Sequence, residues 1–424
     1  MKSRFSLWKF WSTFLFLFLT FIPSVSAEQG MSLSQAIQIA LQNNKDLKFA
    51  KHNVDIAKAR FIQAGQYPNP RLNISNSDDT LLTNEGEYAR SIELTQQFPI
   101  AGRIGNQEKV ALVDIEIALA EIKNAERKLK GEVASSFYNL LIIEHRIEKI
   151  ESFLIINQEL MQVTRKRYQA AEVSELDANA AQLEHERLVQ ERDLLKNQRL
   201  TQVVKLNEFL GRIASSPLVI DTKLPETFTL SSLNEQKKLA FKLRPDFRIA
   251  VLNVNRAKAD NELAHAQKWE DWTIGLGLEQ DRQVVQGAPS QRPDNKLAVN
   301  VSIPLPLLND NQGRITETTA LQSQALGKVE AIRLVIETEV ERTYTEVQTL
   351  KNIIEQSNKT SLSLSEKNAY LARNAYTQGQ ISFLEVVQTL RQRNDLQNFS
   401  LNTLDQYLQA LVKLKTAVGD FNSL

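Results

Sequence analysis

Between Leu129 and Leu154 the apolar side chains Leu129, Val133, Phe137, Leu140, Ile147 and Leu154 follow one another at steps of 4, 4, 3, 7 and 7. Such steps keep one stripe of a helix apolar, and the alanine- and glutamate-rich residues between them suit long packed helices. The pattern predicts a helix over about 106–168 and a shorter one over 173–211. Their counterparts fall at about 314–375 and 381–418, and medium helices over 31–66 and 231–269 precede each pair. Ser32 or Ser34 can cap the first medium helix and Thr229 or Ser231 the second. Pro68-Asn69-Pro70 ends the first one. At 1.5 Å per residue, a helix of about sixty residues is roughly 90–100 Å long, far more than a compact domain needs.

Between the medium and long helices the period changes from helical to twofold. Leu297, Val299, Val301 and Ile303 alternate with Ala298, Asn300 and Ser302, and Trp272, Ile274, Leu276 and Leu278 alternate with Thr273, Gly275, Gly277 and Glu279. The first half offers Leu72 and Ile74, then Ile92, Leu94 and Phe98. These read as four strands with one apolar face. The polar, Gly/Pro-bearing segments Ser77–Glu87 and Gln280–Asn295 join them in pairs. Both pairs are left through proline, at Phe98-Pro99-Ile100 and Ile303-Pro304-Leu305-Pro306, followed by Gly-Arg-Ile at 102–104 and 313–315. Four strands cannot close a barrel and a lipid-exposed sheet edge is not tolerated, so several copies would have to share one; three copies would supply twelve strands.

The two halves repeat one plan. Asp46-Leu47 returns as Asp246-Phe247, Ala57-Lys58-Ala59 as Ala257-Lys258-Ala259, Glu132-Val133 as Glu339-Val340, and Leu210-Gly211 as Val418-Gly419. The offset drifts from 200 to 208 while the order holds, which points to duplication. The expected organisation is a first repeat over 28–212, a linker over 213–230 forming a belt midway along the helices, and a second repeat over 231–424.

The beginning of the chain changes the setting. Lys2, Arg4 and Lys9 precede an apolar run from Phe10 to Ile22, then Pro23 and the small residues Val25-Ser26-Ala27, so residues 1–27 read as a secretory signal peptide. The whole chain carries 51 basic and 50 acidic residues, leaving no electrostatic footprint for nucleic acid. The absence of cysteine excludes disulfides, thiolate metal sites and a lipid-modified N-terminal cysteine. His52, His145, His185 and His265 lie on separate helical stretches without ligand spacing and read as solvent-facing. No nucleotide loop, HExxH, serine elbow or cysteine nucleophile is present, so no catalytic residue is assigned and no cofactor is expected.

Several motifs together resemble one family. Leu33-Ser34-Gln35-Ala36-Ile37 with Ala40-Leu41-Gln42-Asn43-Asn44, Gln66-Tyr67-Pro68-Asn69-Pro70, and Gln97-Phe98-Pro99-Ile100 with Gly102-Arg103 occur in that order. Arg167 to Asp177 and Ala375 to Val386 complete the set. The sequence resembles the TolC-like outer-membrane efflux channels, most of all their CzcC-like heavy-metal branch. The resemblance implies a mostly α protein with a small β part. Duplicated long-helix hairpins would form a trimeric α-barrel continuous with a shared twelve-stranded antiparallel transmembrane β-barrel, four strands per chain.

It further implies a passive exit duct in the cell outer membrane that reaches into the periplasm. There it would meet a periplasmic adaptor linked to an inner-membrane pump of the resistance-nodulation-division type. In the family, acidic residues just past the second tip turn ring the closed end of the tunnel; Glu385 falls on the first of these positions and Gln388 on the second.

The tip turns Gln169–Glu172 and Thr377–Gln380 are the expected adaptor-docking sites, with Tyr168, Ala170, Ala171, Ser174 and Leu176 in one and Tyr376, Gly379, Ser382 and Leu384 in the other. Leu297, Val299, Val301 and Ile303 are the expected lipid face. Metal cations are one expected cargo, although Met31 and Met161 alone offer no soft-ligand path past residue 27. A duct for drugs or a secreted polypeptide, and a periplasmic coiled-coil adaptor or structural envelope protein without a channel, are the alternatives.

Overall fold

The structure, a computed structural model, describes residues 30–421 apart from 82–84, 226–229, 286, 290 and 358–360. The signal-peptide reading of residues 1–27 therefore lies outside the described residues, as does the candidate cap Thr229. The elements run α1 (Leu33–Asn43), α2 (Lys45–Ala64), β1 (Arg71–Asp78), β2 (Tyr88–Phe98), α3 (Arg103–Gln169) and α4 (Glu175–Phe209) in the first half. The second half continues with α5 (Leu233–Leu243), α6 (Pro245–Ala266), β3 (Trp272–Arg282), β4 (Asp294–Ser302), α7 (Gln312–Ser357), α8 (Ser361–Thr377) and α9 (Phe383–Val418).

The first medium helix is not continuous, contrary to the single helix expected over 31–66. At Asn44 the backbone leaves the helix (φ −53°, ψ 130°), and this one residue closes α1 and opens α2. Its N–H donates to the Ala40 carbonyl, and its side-chain oxygen accepts from the Leu47 N–H at 2.9 Å. The helix expected over 231–269 breaks in the same way at Arg244, with Pro245 at the first position of α6, where its missing N–H costs nothing. Ser232, one residue beyond the expected Ser231, caps α5 and forms a capping box with Glu235.

α3, 67 residues long, is the spine of the molecule. It packs along α4 toward one end and along α2 and α6 toward the other, while α9 lies beside it and α7 beyond. α4 and α2 meet end to end along α3, near Phe209 and Asn44; α9 and α6 meet in the same way near Ala417 and Arg244. Around these meetings the largest core forms, from Val133, Phe137 and Leu140 of α3, Leu206 and Leu210 at the end of α4, and Leu408, Leu411 and Leu414 of α9. A second core, with Leu154, Leu188, Tyr376, Val386 and Leu390, fills the far end of the hairpins.

The segment after α4 packs back at this middle level. Met31 and Ile220 make a parallel bridge, with the Met31 N–H donating to the Val219 carbonyl and the Asp221 N–H to the Met31 carbonyl. His145 was expected to face solvent. It is instead mostly covered, with Nε2 at 2.8 Å from the Thr222 carbonyl oxygen.

The strands form one antiparallel meander, β1-β2-β3-β4. Register aligns Leu72, Leu94, Leu276 and Val299 in one row and Ile74, Ile92, Leu278 and Leu297 in the next. Residues directly opposite in an antiparallel ladder share a face, so this face is apolar from strand to strand and fully uncovered within the chain. Val299 is 65% exposed and Leu297 68%. Ile303 continues the alternation one residue past the end of β4, outside the ladder. On the other face Glu93 spans Gly275 and Gly277 and accepts a 2.6 Å hydrogen bond from Asn300 Nδ2; a side chain at Gly275 would occupy the space of the Glu93 carboxylate. β1 and β4 each keep one edge unpaired within the chain.

Candidate functional site

The two hairpin turns lie side by side at the end of the second core. Their backbone bonding is the same at an offset of 208. Ala170, Ala171 and Glu172 donate to the carbonyls of Lys166, Tyr168 and Arg167; Gln378, Gly379 and Gln380 donate to those of Asn374, Tyr376 and Ala375. Both turns need one residue in the left-handed region, Ala171 at φ 58° and Gly379 at φ 74°. Glycine takes that conformation freely, whereas alanine does so at a cost of roughly 1–2 kcal/mol. The next helices start on matching capping boxes, Ser174 with Asp177 and Ser382 with Glu385.

The tyrosines before the turns have different surroundings. Tyr168 is 41% exposed. Tyr376 is 1% exposed, its hydroxyl 2.8 Å from Thr164 Oγ1 and its ring packed edge-on against Phe383. Arg167 binds the two turns together: it donates to the Tyr376 carbonyl at 2.9 Å, lies over the Tyr376 ring and pairs with Glu172 at 3.1 Å. Tyr376 is therefore an internal fastener, and as a contact residue for a partner it is corrected. Ala170, Ala171, Ser174, Leu176, Gly379, Ser382 and Leu384 remain on the surface of the tips.

Glu385 and Gln388 lie one turn apart on an exposed stripe of α9. The Glu385 carboxylate accepts from the Ser382 N–H at 2.7 Å and the Ser382 hydroxyl at 2.9 Å. These backbone and hydroxyl donors hold its carboxyl below the usual range and keep it ionised. The residue is thus a helix cap as well as a charge at the tip.

A tie that periodicity did not reveal lies a few turns above. Glu184 of α4, only 4% exposed, receives Arg391 Nη2 of α9 at 2.5 Å and Arg187 Nη2 at 2.9 Å. Burial pushes its carboxyl up, but the hydrogen bonds and charges of the two arginines outweigh this and hold it below the ordinary value. Arg373 of α8 reaches Glu159 of α3 at 2.7 Å. Among the described residues no group of three or more histidine, cysteine or acidic side chains could hold a metal ion, and no helix is long and apolar enough to cross a membrane.

Long helices that carry a detached antiparallel meander at one end, with closed hairpin turns at the other, define a channel protein of the efflux-duct type. A family description, outer membrane efflux protein, matches residues 36–212 and 238–420, and the chain belongs to that family. It is an outer-membrane channel of the efflux type.

The chain is 20% identical over 397 residues to the cobalt-zinc-cadmium resistance protein CzcC of Cupriavidus metallidurans, covering 92% of this chain and 90% of that protein. Among solved structures it is similar to the transmembrane channel CusC (TM-score 0.73, 19% identity, 92% of both chains). It is likewise similar to the open state of the outer membrane channel MtrE of Neisseria gonorrhoeae (0.71, 18%, 92% of this chain and 89% of that one). The outer membrane protein VceC of Vibrio cholerae also matches (0.70, 16%, 92% and 96%). At these identities the likeness to solved structures is one of fold.

Proposed function

We propose that three copies of this chain form a passive exit duct through the outer membrane, fed by a periplasmic adaptor and an inner-membrane pump of the resistance-nodulation-division type. The observation that carries this reading is the meander sheet with one wholly uncovered apolar face and two unpaired edges. Joining β4 of one copy to β1 of the next removes every edge at twelve strands, the only condition under which a sheet is tolerated in lipid. The helices support the same side-by-side closure. Large apolar side chains stay exposed on α2 and α4 (Phe49, Leu183, Leu194) and on α7 and α8 (Leu334, Leu364, Leu371), at the two ends of the row. Residues 28–212 and 231–424 would be two copies of one structural unit joined by the belt segment 213–230.

In this duct Leu297, Val299 and Val301 face lipid, with Ile303 at the rim. Arginine at Val299 costs about 2–4 kcal/mol if the site is near the bilayer midplane, whereas arginine at Asn300, on the opposite face, is far better tolerated. Mass measurement of the cross-linked protein in detergent, with heat resistance of the oligomer, checks both. A monomer as the sole species, or Asn300 as the sensitive site, would refute the assignment. Tryptophan at Ala171 and at Gly379 is expected to abolish export, in cells with the cognate pump and adaptor, while the trimer still inserts; normal export would remove the docking role of the tips. Glu385, with Gln388 above it, would ring the narrow end of the duct, and a raised resting conductance of Glu385→Ala in a lipid bilayer tests that role. Metal cations are the finer reading of the cargo, supported by the similarity to the cobalt-zinc-cadmium resistance protein.

A further inference from the structure

Midway along the helices a groove of about 350 Å³ opens between α3, α4, α7 and α9. Its rim carries four exposed cations from four different helices: Lys128 of α3, Lys205 of α4, Arg342 of α7 and Lys413 of α9. None of them has an ion-pair partner among the described residues. Two carboxylates line the same groove, but Glu339 is already committed to Arg244 at 2.6 Å, which leaves Glu132 alone against the four. The floor is small and polar. Gly131 sits where α3 and α9 approach so closely that a Cβ would meet Thr416 Oγ1, and Ser135, Ser136 and Thr343 lie alongside. Phe209 and Val412 add an apolar patch. Charges of one sign lining one cleft focus their field and raise the local concentration of counter-ions there.

Two observations fix which way the groove faces. No residue of α1, α5 or the linker lines it, so it opens on the side of the wall away from the belt. Counting along α9 from Glu385 and Gln388 in alternating steps of four and three also leads, through exposed or half-exposed positions, to Gln409, Lys413 and Thr416. The groove and the narrow end therefore lie on one exposed side of α9, along a stripe that drifts by roughly 80° over these four heptads. In the trimeric duct, on which this inference rests, that stripe is the wall of the water path.

The geometry points to a mid-height basic ring that binds organic anions in transit, molecules with a carboxylate, phosphate or sulfonate group and an apolar body. The hydroxyls and cations take the charged end, and Phe209 with Val412 takes the rest.

The chain has no cysteine, so Lys413→Cys creates a unique thiol. Modifying it with a sulfonate-bearing thiosulfonate reagent, in trimers held in a planar bilayer, should change the conductance at once. A second variant combines Lys128→Gln, Lys205→Gln, Arg342→Gln and Lys413→Gln. Its reversal potential in a KCl gradient should move toward cation selectivity. Its binding of a trisulfonated pyrene dye, competed by inorganic pyrophosphate, should weaken by about tenfold or more at low salt and less at high salt. Lys223→Gln with Lys238→Gln, on the belt side, should change neither. A conducting trimer in which Lys413→Cys is silent, or in which the fourfold variant keeps its selectivity and dye binding, overturns the basic ring and leaves the duct standing. Failure of the unmodified protein to form a conducting trimer overturns the duct, and the ring with it.

Discussion

The two places where a returning helix meets a medium helix end to end pose one backbone problem, and the chain solves it with different chemistry in each half. At the first, Asn44 donates through Nδ2 to the Phe209 carbonyl at 3.1 Å and is otherwise a neutral cap. At the second, Arg244 stands in the equivalent place and donates to the Ala417 carbonyl at 2.9 Å. It also pairs with Asp246 and Glu339, both at 2.6 Å, while Arg127 of α3 closes the cluster onto Asp246 and the Thr416 carbonyl. Both returning helices are followed by a glycine in the left-handed region, Gly211 and Gly419. What both meetings require is therefore a donor aimed at a helix C-terminus and a residue free to turn left-handed. The charge is optional.

The comparison breaks most visibly at its arginine. Arg244→Met should cost about 3–5 kcal/mol, because it removes the donor of Glu339 and of the Ala417 carbonyl and leaves Asp246 with Arg127 as its one remaining charge partner among the described residues. Asn44→Ala, which loses one cap and one neutral hydrogen bond, should cost about 1–2 kcal/mol. Urea unfolding midpoints of the detergent-held protein compare them, and equal losses would mean that the ionic cluster adds nothing to the neutral solution.

The glycines sharpen the point. A Cβ on Gly211 would collide with the Asn43 carbonyl, whereas one on Gly419 would lie at an ordinary 3.5 Å from Leu243. Alanine strains the backbone at both, so the same unfolding measurement should find Gly211→Ala worse than Gly419→Ala by about 1–3 kcal/mol of overpacking. The smallest expected effect is on pH. Burial raises the Asp246 carboxyl, but Arg244 and Arg127 outweigh it and hold the group below its ordinary 3.8. A depressed folded value means the stabilisation is complete above that ordinary value and is lost as pH falls through the folded one. The penalty of Arg244→Met should accordingly shrink between pH 7 and pH 3 while that of Asn44→Ala stays flat.

Alternation in the strands and the heptad steps of α3 were legible because each element repeats its own geometry. The breaks at Asn44 and Arg244 interrupt no apolar period, although Pro245 is a plain start signal and Asn44 is three residues before the N–H it caps. Longer periodic runs masked both. The Ser382-to-Glu385 spacing likewise spells a capping box, a local role that the charge of Glu385 at the tip obscures. Other features had no local trace. The burial of Tyr376 depends on Thr164 and Arg167 of another hairpin, and that of Glu184 on Arg391, 207 residues away. The groove cations come from four helices whose adjacency only the packing supplies.

The end-to-end meetings also bear on how the chain finds its structure. The Asn44–Phe209 contact closes a loop of 165 residues and the Arg244–Ala417 contact one of 173, each inside its own half. Closure entropy grows only with the logarithm of loop length, so these two closures cost nearly the same, and one core built from α3, α4 and α9 serves both. Such a chain should refold in one unimolecular phase that closes both loops, followed by a slower, concentration-dependent one, and substitutions at Asn44 should slow only the first.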